Sequence, residues 1–484
     1  MLPSVTITKS DGNTGVVKPS ADGILAIIAP SEKGDLNTPS AHTRVSNALA
    51  EFGYGRLVED AAYDLAVAKK PAVLIRADAS SSPSYGTITV DGEPESGDSE
   101  ITAGSSDPLD DFDVLLTFVT AGTIGTAGIS YTYSLDGGKT TSGKLALGVL
   151  TQIDIPNTGL SFLLGAGDVA AGETASCPIT GPKMTNTDLT AALEALRTYS
   201  GQWDAVFIDI EADDATVTEV DLWLSGLEAV GKFKTAVLNA VARDADSETE
   251  AQYLTAMTEA FAESSSKSIV MCADAGRTVS TLRGIRTVRP VALGVAARGM
   301  AIDISQDAAY VAGGPIVGFS IADDRGNPQY HDEALFPGLD DIRLTTLRSF
   351  DGRQGAYCTN ANLLSPSGSD YVYWQHARVM NKACEIAFQT LSNRLSQGIR
   401  KDVATGFILE EDATEIEALV QAELDKQLVR PSRVSGAVFV LSRTDDLSSN
   451  QGAVLTGEVQ VSALAYVKTF DITTRFVKTI AVSA

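Results

Sequence analysis

The chain has 484 residues, a length that allows about three domains. Its 37 Lys and Arg residues against 62 Asp and Glu give a formal net charge of −25, which repels a phosphate backbone and argues against a nucleic-acid partner. The longest apolar run, residues 24–29, is far too short for a membrane span, so no membrane insertion is expected.

The first predicted elements are a terminal strand and the beginning of an α/β sheet. Val5 and Ile7 alternate with polar residues, the period-2 pattern of a strand buried on one face. A buried strand follows at residues 24–29, then a helix at 58–68 and a strand at 72–75. Apolar strands that alternate with helices are typical of a parallel sheet covered on both faces, so we expect this segment to start one.

The composition changes between residues 85 and 183. This stretch has no Arg or Trp and carries 13 acids against three Lys, a local charge of −10. Strands are predicted at residues 87–90, 114–119, 131–135 and 160–164, with a hairpin turn at Asp136-Gly137-Gly138. The pattern indicates an all-β domain that is inserted into a larger one and lies on its solvated side.

After residue 183 the pattern returns to alternating helices and strands. Four apolar residues share one face of a predicted helix, namely Leu189, Ala192, Leu193 and Leu196. Strands are predicted at residues 205–208, 235–238 and 269–272, with helices between them. The parallel sheet is therefore expected to start before the insert and to resume after it.

The last part, from residue 342, is predicted to hold a long helix at 371–399, an acidic helix at 412–428 and two terminal strands. Val459 and Val461 belong to the first terminal strand, and Phe470 and Ile472 to the second. Terminal strands either close a sheet in their own domain or add to a neighbouring copy through main-chain hydrogen bonds. The termini alone leave both alternatives open.

The chain is poor in residues that carry chemistry. Its three histidines and four cysteines have no metal-ligand spacing, and the cysteines are expected to be reduced, buried thiols of a protein made in the cytoplasm. The best catalytic candidates are Asp209 and Glu211, at the end of a predicted strand, where α/β enzymes place their acids. This segment faintly resembles the strand motif of chitinase-type glycosidases, but Phe207 stands where that motif needs a further acid. Solvated acids are the favoured interpretation.

Two cationic stretches stand out in this acidic chain. The first has five arginines and no acid between residues 274 and 303: Arg277, Arg283, Arg286, Arg289 and Arg298. The second is the predicted long helix, with Arg378, Lys382, Arg394, Arg400 and Lys401. Such stretches either decorate a solvated face or dock an anionic partner, and both interpretations stay open.

Several weak motifs, taken in order, resemble the contractile tail sheath proteins of Mu-like myophages and related contractile injection systems. Near the beginning these are residues 27–34, the segment Phe52-Gly53-Tyr54-Gly55 and the strand at 72–77. Further on, residues 355–363 lead into 369–371 and the helix that bears Arg378. The resemblance covers most of the chain apart from the insert.

The resemblance implies a subtilisin-like α/β fold without catalytic residues, hence no enzyme, cofactor or metal. It also implies that the chain polymerises helically with identical copies around an inner tail tube, in contact with baseplate and tail terminator proteins of a virion. Terminal strands would be exchanged between copies through Val5, Ile7, Val459, Val461, Phe470 and Ile472. The cationic helix is expected to face the tube through Arg378, Lys382 and Arg394.

The predicted organisation has four parts. Residues 1–84 form an N-terminal strand arm and the start of the core, 85–183 the inserted all-β surface domain, 184–341 the rest of the α/β core, and 342–484 a tube-proximal α+β domain with a terminal strand arm. The predicted function is that of a sheath subunit that shortens to drive the tube through a cell envelope. The alternative is a glycoside hydrolase that uses Asp209 and Glu211.

Overall fold

A computed structural model describes residues 22–92, 98–322, 329–366, 368–448, 454–472 and 474. Val5 and Ile7 lie outside these residues. The chain forms two compact units that divide between Asn381 and Lys382. The division falls after the boundary expected at 341/342, because Leu347 packs into the same hydrophobic core as Leu25.

The first unit begins with the strands and helices that start the central sheet. They are β1 Leu25–Ala29, β2 Ser40–His42, α1 Val45–Phe52, α2 Arg56–Val67 and β3 Ala72–Arg76. Between the helices, Gly53 has φ 70°, and a Cβ there would lie 2.3 Å from Oε2 of Glu32. A glycine is therefore required at this turn, within the segment that carries part of the family resemblance.

Between β3 and the next helix, the described residues form strands only, all paired antiparallel. They are β4 Ser84–Tyr85, β5 Thr89–Asp91, β6 Ile101–Ala103, β7 Phe112–Thr120, β8 Gly122–Thr123, β9 Ser130–Ser134, β10 Leu145–Ala146, β11 Gln152–Ile155, β12 Leu160–Leu164, β13 Asp168–Val169 and β14 Thr174–Thr180. The insert has its own core, in which Val114, Leu116 and Phe118 alternate inward along β7.

The chain then returns to the central sheet. The elements are α3 Asn186–Thr198, β15 Ala205–Glu211, α4 Asp214–Glu228, β16 Thr235–Asn239, α5 Glu250–Ala260, β17 Ile269–Cys272, β18 Ala275–Val279, β19 Arg286–Pro290 and α6 Val291–Ala301. Three of the helices begin at capping boxes, with Thr185, Asp213 and Thr249 as N-caps.

The central sheet has the strand order β17-β16-β15-β1-β3-β2, and all neighbours are parallel except β2 and β3. Successive side chains point to opposite faces, so Ile27 and Phe207 pack on one side while Ile28 and Ile208 pack on the other. The predicted parallel α/β sheet, begun before the insert and resumed after it, is confirmed.

The rest of the first unit contains a 3-10 turn at Val311–Gly313, β20 Leu347–Phe350, β21 Arg353–Cys358 and the beginning of α7 Trp374–Ser392. The second unit contains the end of α7, α8 Glu410–Leu424, a π-helical turn at Asp425–Val429, β22 Gly436–Leu441 and β23 Gly457–Ser462. The helix predicted at 371–399 is shorter than expected. No described helix is both long and apolar enough to cross a membrane.

Candidate functional site

The carboxyl ends of β15 and β16 border a cleft of about 430 Å³ in the first unit. Its lining includes Arg56, Lys183, Asp209, Glu211 and Asn239. In parallel α/β sheets this edge is where ligands bind, because loops and helix N-termini converge there. The cleft thus contains both predicted catalytic candidates and is the place to test them.

The carboxylate of Asp209 forms an ion pair with an arginine side chain. Arg56, at the beginning of α2, donates from Nη2 to Oδ1 of Asp209 at 2.9 Å and from Nε to Oδ2. A further bond joins Nη1 of Arg56 to Oδ2 of Asp111 in the insert, at 2.7 Å. Asp209 is buried, and both of its oxygens are engaged by the guanidinium. Such a bidentate pair ties the sheet to α2 and leaves neither oxygen open to a substrate.

Glu211 lies two residues further along β15 and is exposed. Nζ of Lys183 donates to its Oε1 at 2.5 Å, which joins the end of the insert to the sheet. Paired carboxylates in glycosidases flank the scissile bond and act together on one sugar. Here each carboxylate is bound to a different cation, so the pair has the geometry of two separate salt bridges.

We expect the double variant Asp209→Asn, Glu211→Gln to show no change in polysaccharide hydrolysis, because the native chain is expected to have none. Its free energy of unfolding should fall by about 1–3 kcal/mol, since Arg56 loses a buried charged partner. Release of reducing sugar and chemical denaturation measure the two effects. Hydrolysis by the native chain that disappears in the variant would contradict the expectation.

A second ion cluster lies where the insert meets the β18–β19 hairpin. Arg289 donates to both carboxylate oxygens of Asp110, at 2.9 and 2.5 Å, and both side chains are buried. Burial raises the pKa of Asp110, but the charge of Arg289 outweighs burial and lowers this pKa to about 2. Asp60 lies 3.9 Å from Arg289, and burial, together with the charge of Asp209, raises the pKa of Asp60 well above its usual range. Burial thus favours the protonated form of Asp60 beside the charged pair.

The arginines of the acid-free segment were assigned in the sequence to a solvated face or a docking surface. For Arg289 and Arg298 both interpretations are wrong, because the two side chains are buried. Arg298 donates to the carbonyl oxygens of Ala308 and Tyr310, at 2.5 and 2.9 Å. The lack of acids nearby in sequence was the available signal, since each partner comes from elsewhere in the chain or from the backbone.

His42 makes the contact that comes nearest to a catalytic dyad. Its Nε2 lies 2.9 Å from Oγ of Ser40 and 3.4 Å from Oε2 of Glu51. In a serine-hydrolase triad the acid binds the ring nitrogen opposite the one that faces the serine. Because both partners here meet the same nitrogen, Glu51 cannot orient the ring of His42 toward Ser40 as the acid of a triad does.

His331 lies between two carboxylates. Its Nδ1 is 2.7 Å from Oε2 of Glu250, and its Nε2 is 2.9 Å from Oε2 of Glu333. Burial lowers the pKa of His331, but the bonds to Glu333 and Glu250 outweigh burial and raise it. Both ring nitrogens are thus used in structural pairs. Among the described residues, no group of three or more His, Cys, Asp or Glu side chains could hold a metal ion.

Arg378, which the sequence assigned to a tube-facing surface, has a buried position in this structure, and its contact with a tube stays a prediction. Its side chain is buried and donates at 2.9 Å to Oδ2 of Asp204 and to the carbonyl oxygen of Gly299. Its guanidinium also lies 5.3 Å from the ring centre of Trp374. Arg378 therefore anchors the beginning of α7 to the core of the first unit, and its charge is already matched.

The other two residues assigned to a tube-facing surface differ in exposure. Lys382 is only 9% exposed and pairs with Glu385 at 3.2 Å. Arg394 is partly exposed and pairs with Glu415 of α8 at 2.9 Å. A tube contact through Arg394 stays a prediction, and Lys382 would have to leave a buried position to take part.

Within the second unit, β23 belongs to a hairpin, and residues 463–472 after it form neither helix nor strand. β23 pairs antiparallel with β22 of the same chain, so Val459 lies opposite Phe439 and Val461 opposite Ala437. Phe470 and Ile472 are not part of a strand, and their side chains are 79% and 75% exposed. Exchange of these residues between copies stays a prediction, with β23 held by its own chain in this structure.

Comparison with known proteins points to one family and one fold. A family model described as DUF2586, N-terminal domain, matches residues 2–362. A comparison with curated proteins gives no match. Among solved structures, a chain of the anti-feeding prophage baseplate is similar, with a TM-score of 0.50 and 10% identity over 99% of each chain.

Two further solved structures are similar at lower TM-scores. The contracted helical sheath of the anti-feeding prophage has a TM-score of 0.49 and 11% identity over 99% of each chain. The sheath tail protein of Desulfitobacterium hafniense has a TM-score of 0.47 and 13% identity over 96% of this chain and 100% of its own. The sequence predicted a resemblance to contractile sheath proteins. The similarity to the baseplate chain confirms this resemblance at the level of the fold.

Proposed function

The chain belongs to the DUF2586 family, and on that premise we propose that it is a structural subunit of a contractile sheath. Identical copies polymerise helically around an inner tube, and the polymer shortens to drive the tube through a cell envelope. The family model gives the family of the chain. The similarity of its fold to a baseplate chain of the anti-feeding prophage supports a role in a contractile particle. The virion tail is the proposed location, and the host cytoplasm the proposed place of synthesis.

The observation that carries the proposal is the exposed segment after β23, residues 463–472, which is called the extended segment below. Residues 463–472 form neither helix nor strand, and the exposed fractions of Val467, Phe470 and Ile472 are 68%, 79% and 75%. An apolar segment of this kind is costly to leave in water and offers backbone groups for pairing. Strand addition to a neighbouring copy covers both, and repeated copies then form a mesh.

The enzyme alternative has no support in the cleft. Asp209 and Glu211 are bound to separate cations, and the contact of His42 with Ser40 lacks an acid on the opposite ring nitrogen. The subtilisin-like character of the sheet, the absence of catalysis and the contacts with tube, baseplate and tail terminator proteins are all part of the proposal. The energy of contraction would come from better contacts between rigid units, without a nucleotide.

Two truncated chains, compared with each other and with the full chain, test the proposal. Deleting residues 463–484 leaves β22 and β23 paired, so we expect a folded monomer whose free energy of unfolding stays within about 0.5 kcal/mol of the full chain. Deleting residues 457–484 also removes β23, leaves β22 without its paired strand, and should destabilise the second unit. Sedimentation, denaturation and negative-stain images of tubes are the measurements.

The full chain should form tubes or long polymers, and both truncated chains should not. A full chain that stays a discrete small oligomer at all concentrations would contradict the sheath proposal. Tubes formed by the chain without residues 463–484 would show that this segment does not join the copies.

A further inference from the structure

The outer edge of β22 is closed by two side chains of α8. The backbone N–H groups of Phe439 and Leu441 point away from β23, and they donate to Oε1 of Gln421 at 3.2 Å and to Oε1 of Glu417 at 2.7 Å. Nε2 of Gln421 also donates to the carbonyl oxygen of Ala437 at 2.9 Å. Three backbone groups that a neighbouring strand would bind are therefore taken by side chains of the same unit.

The spacing of these two side chains fits a strand edge. Glu417 and Gln421 are four residues apart on α8, so they lie on one helix face about 6 Å apart along the axis. Phe439 and Leu441 are two residues apart on β22, about 6.6 Å along the strand. One helical turn thus matches one strand repeat, and the two side chains reach successive N–H groups of the same edge.

Both side chains are held in place by further bonds. Nη1 and Nη2 of Arg443 donate to the two oxygens of Glu417, at 2.7 and 2.9 Å, and the same guanidinium binds Glu410. Nε2 of Gln421 donates to Oδ1 of Asp425 at 2.8 Å. The closure is therefore a built network, which we call the edge guard, defined by Glu417, Gln421 and Arg443.

Among the described residues, no side chain is seen to close the opposite edge of the hairpin in this way. β22 and β23 form a two-stranded sheet, and no further strand lies beside β23 in the part of the chain that the structure describes. The segment 463–472 continues from β23 with apolar side chains in water. Within the described residues, the hairpin therefore has one closed edge and one open edge, and each copy carries an exposed apolar segment.

We propose that the edge guard confines strand addition to β23, so that the extended segment of a second copy pairs with β23 and cannot pair with β22. The proposal rests on the proposed sheath function, which supplies the second copy as the occupant. Without a guard, both edges would accept strands and the hairpin would pair edge to edge in wrong directions. The guard makes growth of the polymer directional.

The donated segment has a defined orientation in this arrangement. Ala437, Phe439 and Leu441 form the buried face of β22, while Val438 and Gln460 lie opposite each other on the exposed face. Phe470 and Ile472 share one face of an extended segment and would continue the buried face, so Asp471 between them points outward, toward the row that contains Gln460.

Cysteine cross-linking between copies tests the proposal in the full chain. A donor chain with Asp471→Cys is mixed with an acceptor chain that carries Gln460→Cys on β23 or, as the matched control, Val438→Cys on β22. A disulfide needs Cβ atoms within about 4.5 Å, and strands lie about 4.8 Å apart, so a segment beside β23 cannot reach position 438. Mass spectrometry of the linked peptides identifies each product.

We expect the 471–460 product to exceed the 471–438 product by roughly tenfold or more, since only one edge accepts the segment. Cys177, Cys272 and Cys358 are buried and Cys384 is half-buried, and the chain without added cysteines gives the background. Equal yields of the two products, or an excess of the 471–438 product, would overturn the proposal.

Removing the guard is the second arm. In acceptor chains with Glu417→Ala and Gln421→Ala, the 471–438 product should rise roughly tenfold, because the N–H groups of Phe439 and Leu441 become open to a strand. α8 keeps its buried residues Ile416, Val420 and Leu424, so the helix stays packed. Glu415→Ala, on the same helix but bound to Arg394, is the control and should change nothing.

The outcomes separate this proposal from the proposed function. A chain that forms tubes but gives the 471–438 product with the guard intact would overturn the guard and leave the sheath function standing. A chain that stays monomeric and gives neither product would overturn both. If the double variant does not fold, Gln421→Met alone, which keeps Glu417 and Arg443, must still raise the 471–438 product for the proposal to hold.

Discussion

Replacing Arg289 with Met is expected to lower the free energy of unfolding by about 3–5 kcal/mol, the usual cost of leaving one member of a buried ion pair alone. Arg289 is 4% exposed and binds both oxygens of Asp110, which is 1% exposed. Without the guanidinium, the buried carboxylate of Asp110 loses both of its charged hydrogen bonds and keeps Arg56, 3.9 Å away, as its nearest cation. Asp60 lies 3.9 Å from the same guanidinium, and burial, together with the charge of Asp209, raises its pKa. Denaturation by urea measures the loss.

A double variant separates the pair from the packing around it. Adding Asp110→Leu to Arg289→Met removes both charges, and most of the lost stability should return because apolar residues of similar size replace the pair. Arg353→Met, at an exposed position of β21, is the control and should stay within about 0.5 kcal/mol of the native chain. A loss below about 1 kcal/mol for Arg289→Met would contradict the buried pair.

This pair also bears on the insert. Asp110 belongs to the insert and Arg289 to β19, and Ile285 of the same hairpin packs into the core of the insert. The insert is thus bound to the central domain by the buried ion pair of Asp110 with Arg289 and by the packing of Ile285. Removing residues 85–183 should therefore be combined with Arg289→Met, so that loss of the insert is not confused with a stranded cation.

Raising the pH from 5 to 8 is expected to destabilise the first unit through Asp64. Burial raises the pKa of Asp64 to about 8, and neither carboxylate oxygen has a hydrogen-bond partner among the described residues. In the unfolded chain the same carboxyl loses its proton near pH 4. The folded state therefore holds a proton that the unfolded state has lost. The stabilisation is complete below about pH 4 and disappears as the pH rises through about 8.

The size of this effect follows from the difference in pKa. About three pH units separate pH 7 from the pKa of the unfolded state, so the loss at pH 7 is roughly 4 kcal/mol. Asp64→Asn removes the titration and should flatten the dependence of stability on pH between 5 and 8. Asp60 has a raised pKa for the same physical reason, so some dependence remains in the variant.

Urea denaturation of both chains at several pH values measures the effect, with the exposed Asp35→Asn as the control. The control should keep the pH dependence of the native chain. A native chain whose stability is constant from pH 5 to 8, or an Asp64→Asn chain that keeps the full dependence, would show that the buried carboxyl is not held neutral.

Several features of this protein were determined by the sequence alone, because they depend on local patterns. The apolar spacing of Leu189, Leu193 and Leu196 predicts a helix buried on one face, and all three side chains are buried in α3. Apolar strands separated by amphipathic helices predict the parallel sheet, and the change of composition at residues 85–183 marks the all-strand insert. Each pattern repeats within a few residues, so no knowledge of distant contacts is needed.

The acids of the candidate site could be predicted from the sequence, but their partners could not, because only the acids follow a local pattern. The end of a buried strand placed Asp209 and Glu211 at the edge of the sheet, and the structure brings both to the cleft. Their partners Arg56 and Lys183 come from α2 and from the end of the insert, and no spacing in the sequence relates them to β15. The role of each carboxylate depends on the cation that binds it, and only the tertiary structure brings Arg56 and Lys183 beside these acids.

Only the tertiary structure decided which charges are buried. Arg378 was assigned to a surface because its helix is cationic, but it lies in the core beside Asp204, 174 residues away in the chain. Gln421 and Glu417 gave no signal at all, since an acidic helix ordinarily faces solvent, yet they close the edge of β22. Periodicity records which face of an element is apolar, whereas the partner of a polar group is set by the packing of distant segments. That packing determined the closed edge of the terminal hairpin.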